Sequence, residues 1–213
     1  MVKTAESPEV IVVGGGPAGL SAALALGRQR RQALVCDTDA PANAASVAVH
    51  GALGFDAVAP RELRSRAREE CARYPSVSFR DAEALAVEPL DRGFRVTFRD
   101  GPELRARKVI LACGRRYELP PIPGARELFG SRVLHCPFCH GWEARDMALA
   151  IIGGDAHAFQ LAVMLRGLSD RLILCTNGAP ALEDDQLDQL QRAGVALQEQ
   201  PVARSPRPAT ASS

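Results

Sequence analysis

Residues 9–30 read EVIVVGGGPAGLSAALALGRQR, and everything else in the chain is placed by them. Val10–Val13 is a continuous apolar run, rich in β-branched residues, that leads straight into glycines, as a buried strand does. Pro17 then stands near the first turn of a segment with helical composition, whose small residues suit a face laid against a sheet. QALVCD (32–37) is a second strand, so the order is strand, glycine loop, helix, strand: a βαβ unit with a parallel sheet. Gly14, Gly16 and Gly19, with Pro17 and Ala18 between the last two, fit G-x-G-x-x-G at the strand-to-helix turn. The first glycine permits the tight turn, the second admits a pyrophosphate to the backbone, and the third lets helix and strand close up. The helix N-terminus offers free N–H groups and a dipole that favour an anion. Asp37 ends the second strand, where a carboxylate can accept hydrogen bonds from a ribose 2′-OH. A coincidental glycine turn is the alternative, and this context weighs against it.

Composition narrows the function classes. The 213 residues carry a formal net charge of +1, with 46% hydrophobic and 24% charged residues. That balance gives no support for nucleic-acid or anionic-membrane binding. The opening MVKTAESPE lacks an apolar leader core, and no later apolar run is long enough to span a bilayer, so the expected location is cytoplasmic. Six cysteines in a chain of this size are too sparse for a secreted disulfide framework.

Farther along, 60–74 has a helical spacing of Leu63, Ala67, Cys71 and Tyr74, which makes Cys71 a core residue. The charges between them, in RELRSRAREE, read as a solvated face. Short strands follow in VSFRD, LAVEPL and GFRVTFRDGPELRARKVILACG, the middle ones paired antiparallel. LPPIPG (119–124) breaks helix and strand and marks a boundary. MALAIIGGDAHAFQLAVMLRGLSDRLILCT then repeats the strand, glycine turn, helix, strand order, and EDDQLDQLQRAG and VALQEQPVA add a helix and a strand. The fold class expected is α/β, with two Rossmann-like βαβ units on parallel sheets. Residues 1–121 form the first domain and 122–204 the second, and the tail 205–213 is expected to be disordered.

HCPFCHGWE (135–143) holds the chemistry. A C-x-x-C at a helix start lets nearby N–H groups and the dipole stabilise the first sulfur as a thiolate, and keeps the second close enough to resolve a mixed disulfide. Pro137 suits the first helical turn. Zinc is one competitor, but one pair supplies two of four ligands. His135 and His140 each adjoin a cysteine, which makes one tetrahedron awkward to close. Cys113 and Cys175, at strand ends, read as core. A thioredoxin-like module is another competitor, although its pair should follow the first strand of its own fold. Trp142 reads as a packing residue.

VIVVGGGPAGLSAALALGR, KVILACG and LPPIPG together resemble the thioredoxin-reductase-like family of flavoproteins with two dinucleotide-binding folds, from residue 9 to about residue 204. HGALGFD and HCPFCHGWE resemble a subgroup that includes the dithiol oxidases of gliotoxin and holomycin biosynthesis. The resemblance implies FAD at Gly14, Gly16, Pro17, Ala18, Gly19 and Asp37, with Gly114 closing KVILACG. It implies that Cys136 exchanges with substrate and that Cys139 passes electrons to or from the flavin. His140 stands where other members carry an acidic residue and is the candidate acid/base, against a plain solvent-exposed histidine. Gly153, Gly154 and Ala158 align with a second fingerprint, G-x-G-x-x-A, for NAD(P)H. Asp155 takes its second glycine position, where it crowds and repels a pyrophosphate, and LILCTN ends in no residue that selects NADP or NAD.

The function expected is an FAD-dependent disulfide oxidoreductase that moves electrons between NAD(P)H, FAD, the Cys136–Cys139 pair and a disulfide. The alternatives are a dithiol oxidase that uses oxygen, and a shortened, non-catalytic nucleotide-binding remnant. The partners expected are a small dithiol or disulfide, or a thioredoxin-like protein, with no nucleic acid, no membrane and no metal. The family's chain returns to the FAD domain with a Gly-Asp motif, and nothing after Gly124 supplies one. The expectation is therefore a shortened chain or one completed by a partner, with unpaired strand edges that favour association, a homodimer included.

Overall fold

The computed structural model describes residues 8–203, so the expectation for 205–213 lies outside it. The chain forms two compact units. One takes the described residues up to Ser46 together with Val58–Tyr117. The other takes Val47–Ala57 together with the residues from Glu118 onward.

The first unit begins with strand β1 (Val10–Val13), helix α1 (Pro17–Arg28) and strand β2 (Ala33–Asp37). Helix α2 (Pro60–Ala72) and strand β3 (Val77–Asp81) follow. β4 (Ala84–Pro89), β5 (Phe94–Phe98) and β6 (Leu104–Ala106) form an antiparallel sheet, and β7 (Lys108–Leu111) closes the unit. The parallel sheet runs β3-β2-β1-β7, with Val10 opposite both Ala33 and Lys108. VSFRD thus pairs in parallel with β2, and KVILACG with β1.

Strand alternation explains why both faces of β1 are apolar. Val10 and Val12 face a core with Leu20, Ala23, Val35, Cys71 and Val77, built against the helices. Ile11 turns to the opposite core, with Cys36, Val96, Phe98 and Ala106, where the antiparallel sheet covers it. Ile11, Val12 and Val35 are almost wholly buried, and each contributes on the order of 1.5–3 kcal/mol through burial. The spatial order reverses at β1, with β2 on one side and β7 on the other. Open α/β sheets bind ligands outside the strand C-termini at such a reversal. Gly14 leaves β1 at that end.

The second unit contains the one-turn helices α3 (Ala125–Leu128) and α4 (Pro137–His140). Then come β8 (Leu149–Ile152), α5 (Ala156–Leu165), β9 (Leu172–Cys175), α6 (Asp184–Arg192) and β10 (Ala196–Gln198). Its sheet is parallel, in the order β10-β9-β8. Ile151, Ala158, Ala162, Leu172, Leu174, Leu190 and Val195 form its core. A capping box at Glu183 and Gln186 starts α6, which satisfies donors that the helix cannot pair itself.

Candidate functional site

In the first unit the glycine loop is shaped by close approach. Gly14 has φ +106°, and a Cβ there would stand 2.2 Å from the Ala112 carbonyl oxygen, at the exit of β7. A Cβ on Gly19 would stand 1.9 Å from the Gly14 carbonyl oxygen, so only glycine lets α1 seat on the loop. Gly16 is different: a Cβ there meets nothing within 4 Å. It is the N-cap of a 12-residue helix, no side chain caps that end, and Pro17 opens the first turn. An open space before a helix start that no side chain caps is a place where an anion can be received.

Asp37 lies against this loop, since a Cβ on Gly15 would meet its carboxylate oxygen at 2.8 Å. The Asp37 carboxylate is held by Arg64 at 2.5 Å, and Arg64 also reaches Asp39 at 2.7 Å and the Gly15 carbonyl. The Arg64 side chain is only 12% exposed. RELRSRAREE is therefore not uniformly a solvated face: one of its arginines turns inward to the glycine loop. No local pattern separates it from its neighbours, because the contact spans 27 residues of chain. Gly114, at φ +71°, follows β7 with open space where a Cβ would stand.

In the second unit Cys136 and Cys139 form a disulfide with Cα atoms 5.3 Å apart. Pro137 starts α4, with Cys136 as its N-cap. α4 is a single turn, and the Cys139 N–H is bonded to the Cys136 carbonyl, so the expected dipole stabilisation of the first sulfur is small. Both cysteines are half-buried. The other thiols differ. Burial pushes the Cys36 thiol up to about 11, with Arg80 opposing, and burial likewise raises Cys71 and Cys175. Cys71 Sγ donates to the Leu20 carbonyl at 3.3 Å, as a core residue should. Cys113 is exposed, against the expectation of a core residue, because β7 ends at Leu111 and the chain has left the sheet.

His140 is half-buried, not plainly solvent-exposed, and its Nδ1 is buried with no hydrogen-bond partner among the described residues. A buried nitrogen left unpaired costs about 1–3 kcal/mol, which sets His140 apart from the other histidines. Its neighbour is His50, carried in by Val47–Ala57, with ring centroids 6.5 Å apart and an edge-on geometry. His50 Nδ1 lies 3.6 Å from Asp56 Oδ1, and its Nε2 lies 3.6 Å from Glu143 Oε1. Asp56 is itself fixed by the Gly51 N–H at 2.8 Å. HGALGFD contains both His50 and Asp56, yet nothing local in it reveals that His50 meets His140.

His135 stacks on Phe129 at 5.9 Å. Burial, with help from the nearby His140, holds its pKa below the usual imidazole value. Trp142 is 66% exposed, against the expectation that it packs, with Arg145 over its ring at 4.1 Å. No three His, Cys, Asp or Glu side chains among the described residues stand together as metal ligands.

The second glycine turn is closed by its own sequence. Asp155 is the N-cap of α5, and its carboxylate accepts the Ala158 N–H at 2.9 Å. The Ala158 N–H is therefore already paired, and a carboxylate stands at the start of α5. Gly153 and Gly154 pack against Ala158 and Thr176 behind it.

The architecture and motifs agree with comparisons to known proteins. A probable thioredoxin reductase of Arthroderma benhamiae is 37% identical over 185 residues, which cover 84% of this chain and 46% of the relative. A thioredoxin reductase of Claviceps purpurea is 34% identical over 85% of this chain and 59% of its own length. The crystal structure of an oxidoreductase from Agrobacterium tumefaciens superposes with a TM-score of 0.89 at 34% identity, over 95% of this chain and 68% of that one. The chain thus spans about half the length of the curated relatives it matches. Residues 8–201 match the pyridine nucleotide-disulphide oxidoreductase family along nearly the whole sequence, and the chain belongs to that family.

Proposed function

We propose that this chain carries the flavin-binding and thiol-exchange parts of an FAD-dependent disulfide oxidoreductase of thioredoxin-reductase-like type. The observation that carries the reading is the Cys136–Cys139 disulfide followed at once by His140, whose Nδ1 is buried and unpaired. FAD fits the first unit: the space at Gly16 and the uncapped start of α1 suit its pyrophosphate, and Asp37 suits its ribose. Gly14, Pro17, Ala18, Gly19 and Gly114 would shape that cradle. Bound there, FAD would supply two-electron redox chemistry that the protein side chains lack.

Cys136 would exchange with substrate and Cys139 would be the sulfur that passes electrons to or from the flavin. His140 would take or return the thiol proton. A substrate thiol that loses its proton there becomes the thiolate that attacks a disulfide sulfur. The substrate class is a dithiol or disulfide, borne by a small molecule or by a thioredoxin-like protein. A cytoplasmic setting suits a redox-cycling pair. Among the described residues no helix is long and apolar enough to cross a membrane.

One observation favours the oxidase direction, with oxygen as the final electron acceptor. The Asp155 carboxylate already occupies the start of α5, which disfavours NAD(P)H at Gly153, Gly154 and Ala158. A visible spectrum after addition of FAD tests the reading. Retained flavin after gel filtration is expected, and a colourless protein that takes up no FAD sinks the proposal. Without air, bleaching by a dithiol and not by NADPH selects the oxidase direction.

A further inference from the structure

We propose that His50 is a second proton-holding residue of the Cys136–Cys139 site, beside His140, so that each of two substrate thiols has an acceptor for its proton. The inference rests on the reading of this pair as the thiol-exchange centre. Oxidation of a dithiol at a disulfide sets one base a double task. The first thiol gives its proton to His140, and its thiolate attacks Cys136 Sγ. The Cys136–Cys139 bond breaks, Cys139 leaves with the electron pair, and a mixed disulfide joins substrate to Cys136. The second thiol must also lose a proton before it attacks the substrate sulfur of that mixed disulfide and releases Cys136 as a thiolate. The substrate has then lost two electrons and two protons. The electrons rest on the two cysteine sulfurs, and the protons need two holders.

The structure offers the second holder beside the first. The His50 ring stands edge-on to His140 at 6.5 Å between centroids. Each of its nitrogens faces a carboxylate oxygen at 3.6 Å, from Asp56 on its own segment and from Glu143 just after α4. Both nitrogens of imidazole are donors only in the charged ring, so two carboxylates balance the state that holds the extra proton. Asp56 and Glu143 are 66% and 42% exposed, which gives the proton a route to water, whereas the His50 side chain is 20% exposed. His135, from the segment before α4, also interacts with His140.

The two thiol steps can be separated in the flavin-free full chain. Formation of a mixed disulfide with 2-mercaptoethanol, trapped by alkylation and read by mass, reports the first. Full opening to two thiols by dithiothreitol reports the second. At neutral pH His50→Phe should keep the first rate within about twofold and slow the second by about tenfold or more, as loss of a proton acceptor does. Glu143→Gln, which leaves both rings in place, should slow the same second step by a smaller factor. Alkaline buffer, where the thiols are already ionised, should restore both variants. Equal slowing of both steps, or no slowing of either, overturns the proposal. A wild-type disulfide inert to both reagents overturns the thiol-exchange reading itself, and failure to take up FAD touches only the flavin reading.

Discussion

The carboxylate of Asp155 accepts the backbone N–H of Ala158 at 2.9 Å, so the second glycine turn caps its own helix. The same residue that departs from the fingerprint supplies the helix with what the departure removes. Asp155→Gly should raise NADH affinity, measured by fluorescence titration, at a stability cost of only a few tenths of a kcal/mol. Asp155→Ala should cost about 1 kcal/mol. Unchanged NADH affinity in Asp155→Gly would show that the carboxylate does not block the site.

Gly16 and Gly19 separate binding from folding. Gly16→Ala places a methyl group in open space, so stability should fall only by the roughly 0.5–1 kcal/mol that alanine costs at an N-cap, while FAD affinity falls at least about tenfold, because the backbone can no longer approach a pyrophosphate. Gly19→Ala drives a Cβ into the Gly14 carbonyl and should cost about 1–3 kcal/mol before any ligand is added. Urea unfolding with and without FAD reads both quantities.

Arg64 joins Asp37 to the loop, and its removal leaves a half-buried carboxylate unpaired. Arg64→Ala should destabilise the protein by about 1–3 kcal/mol and weaken FAD binding in parallel. Arg64→Lys should fall between, since an ammonium cannot hold Asp37 and Asp39 with one fork. Thermal unfolding at matched ionic strength provides the comparison.

His135 carries a pKa held below its unfolded value by burial. Between the two values the unfolded chain binds more protons than the folded one, so this group makes stability rise with pH there. Its contribution is full above the unfolded value of about 6.5 and is lost as pH falls towards the folded one. Wild type should therefore lose more stability than His135→Phe between neutral pH and about pH 5. Parallel losses in the two proteins contradict this origin.

Much of the fold was legible because its signals are local. The run Val10–Val13, the glycines after it and Asp37 lie within one βαβ unit, and each requirement is met by residues a few positions apart. Antiparallel β4, β5 and β6 were readable from their turns. The bonded pair Cys136–Cys139, with His140 beside it, was legible because adjacency in sequence is there adjacency in space. His50 and Arg64 were not, because each reaches its partners from a distant segment, and neither stands out from its neighbours by type or spacing. Cys113 and Trp142 misled for a related reason: residue type favours burial, but the end of β7 and the turn after α4 leave both in solvent.

The central claim is that Cys139 connects external thiols to a bound flavin. Its most direct test is the absorbance of FAD-loaded protein after addition of dithiothreitol without air, for wild type and Cys139→Ser. Wild type should bleach, and Cys139→Ser should retain its flavin with no bleaching on the same timescale. Bleaching of Cys139→Ser at the wild-type rate would remove the Cys136–Cys139 pair from the electron path.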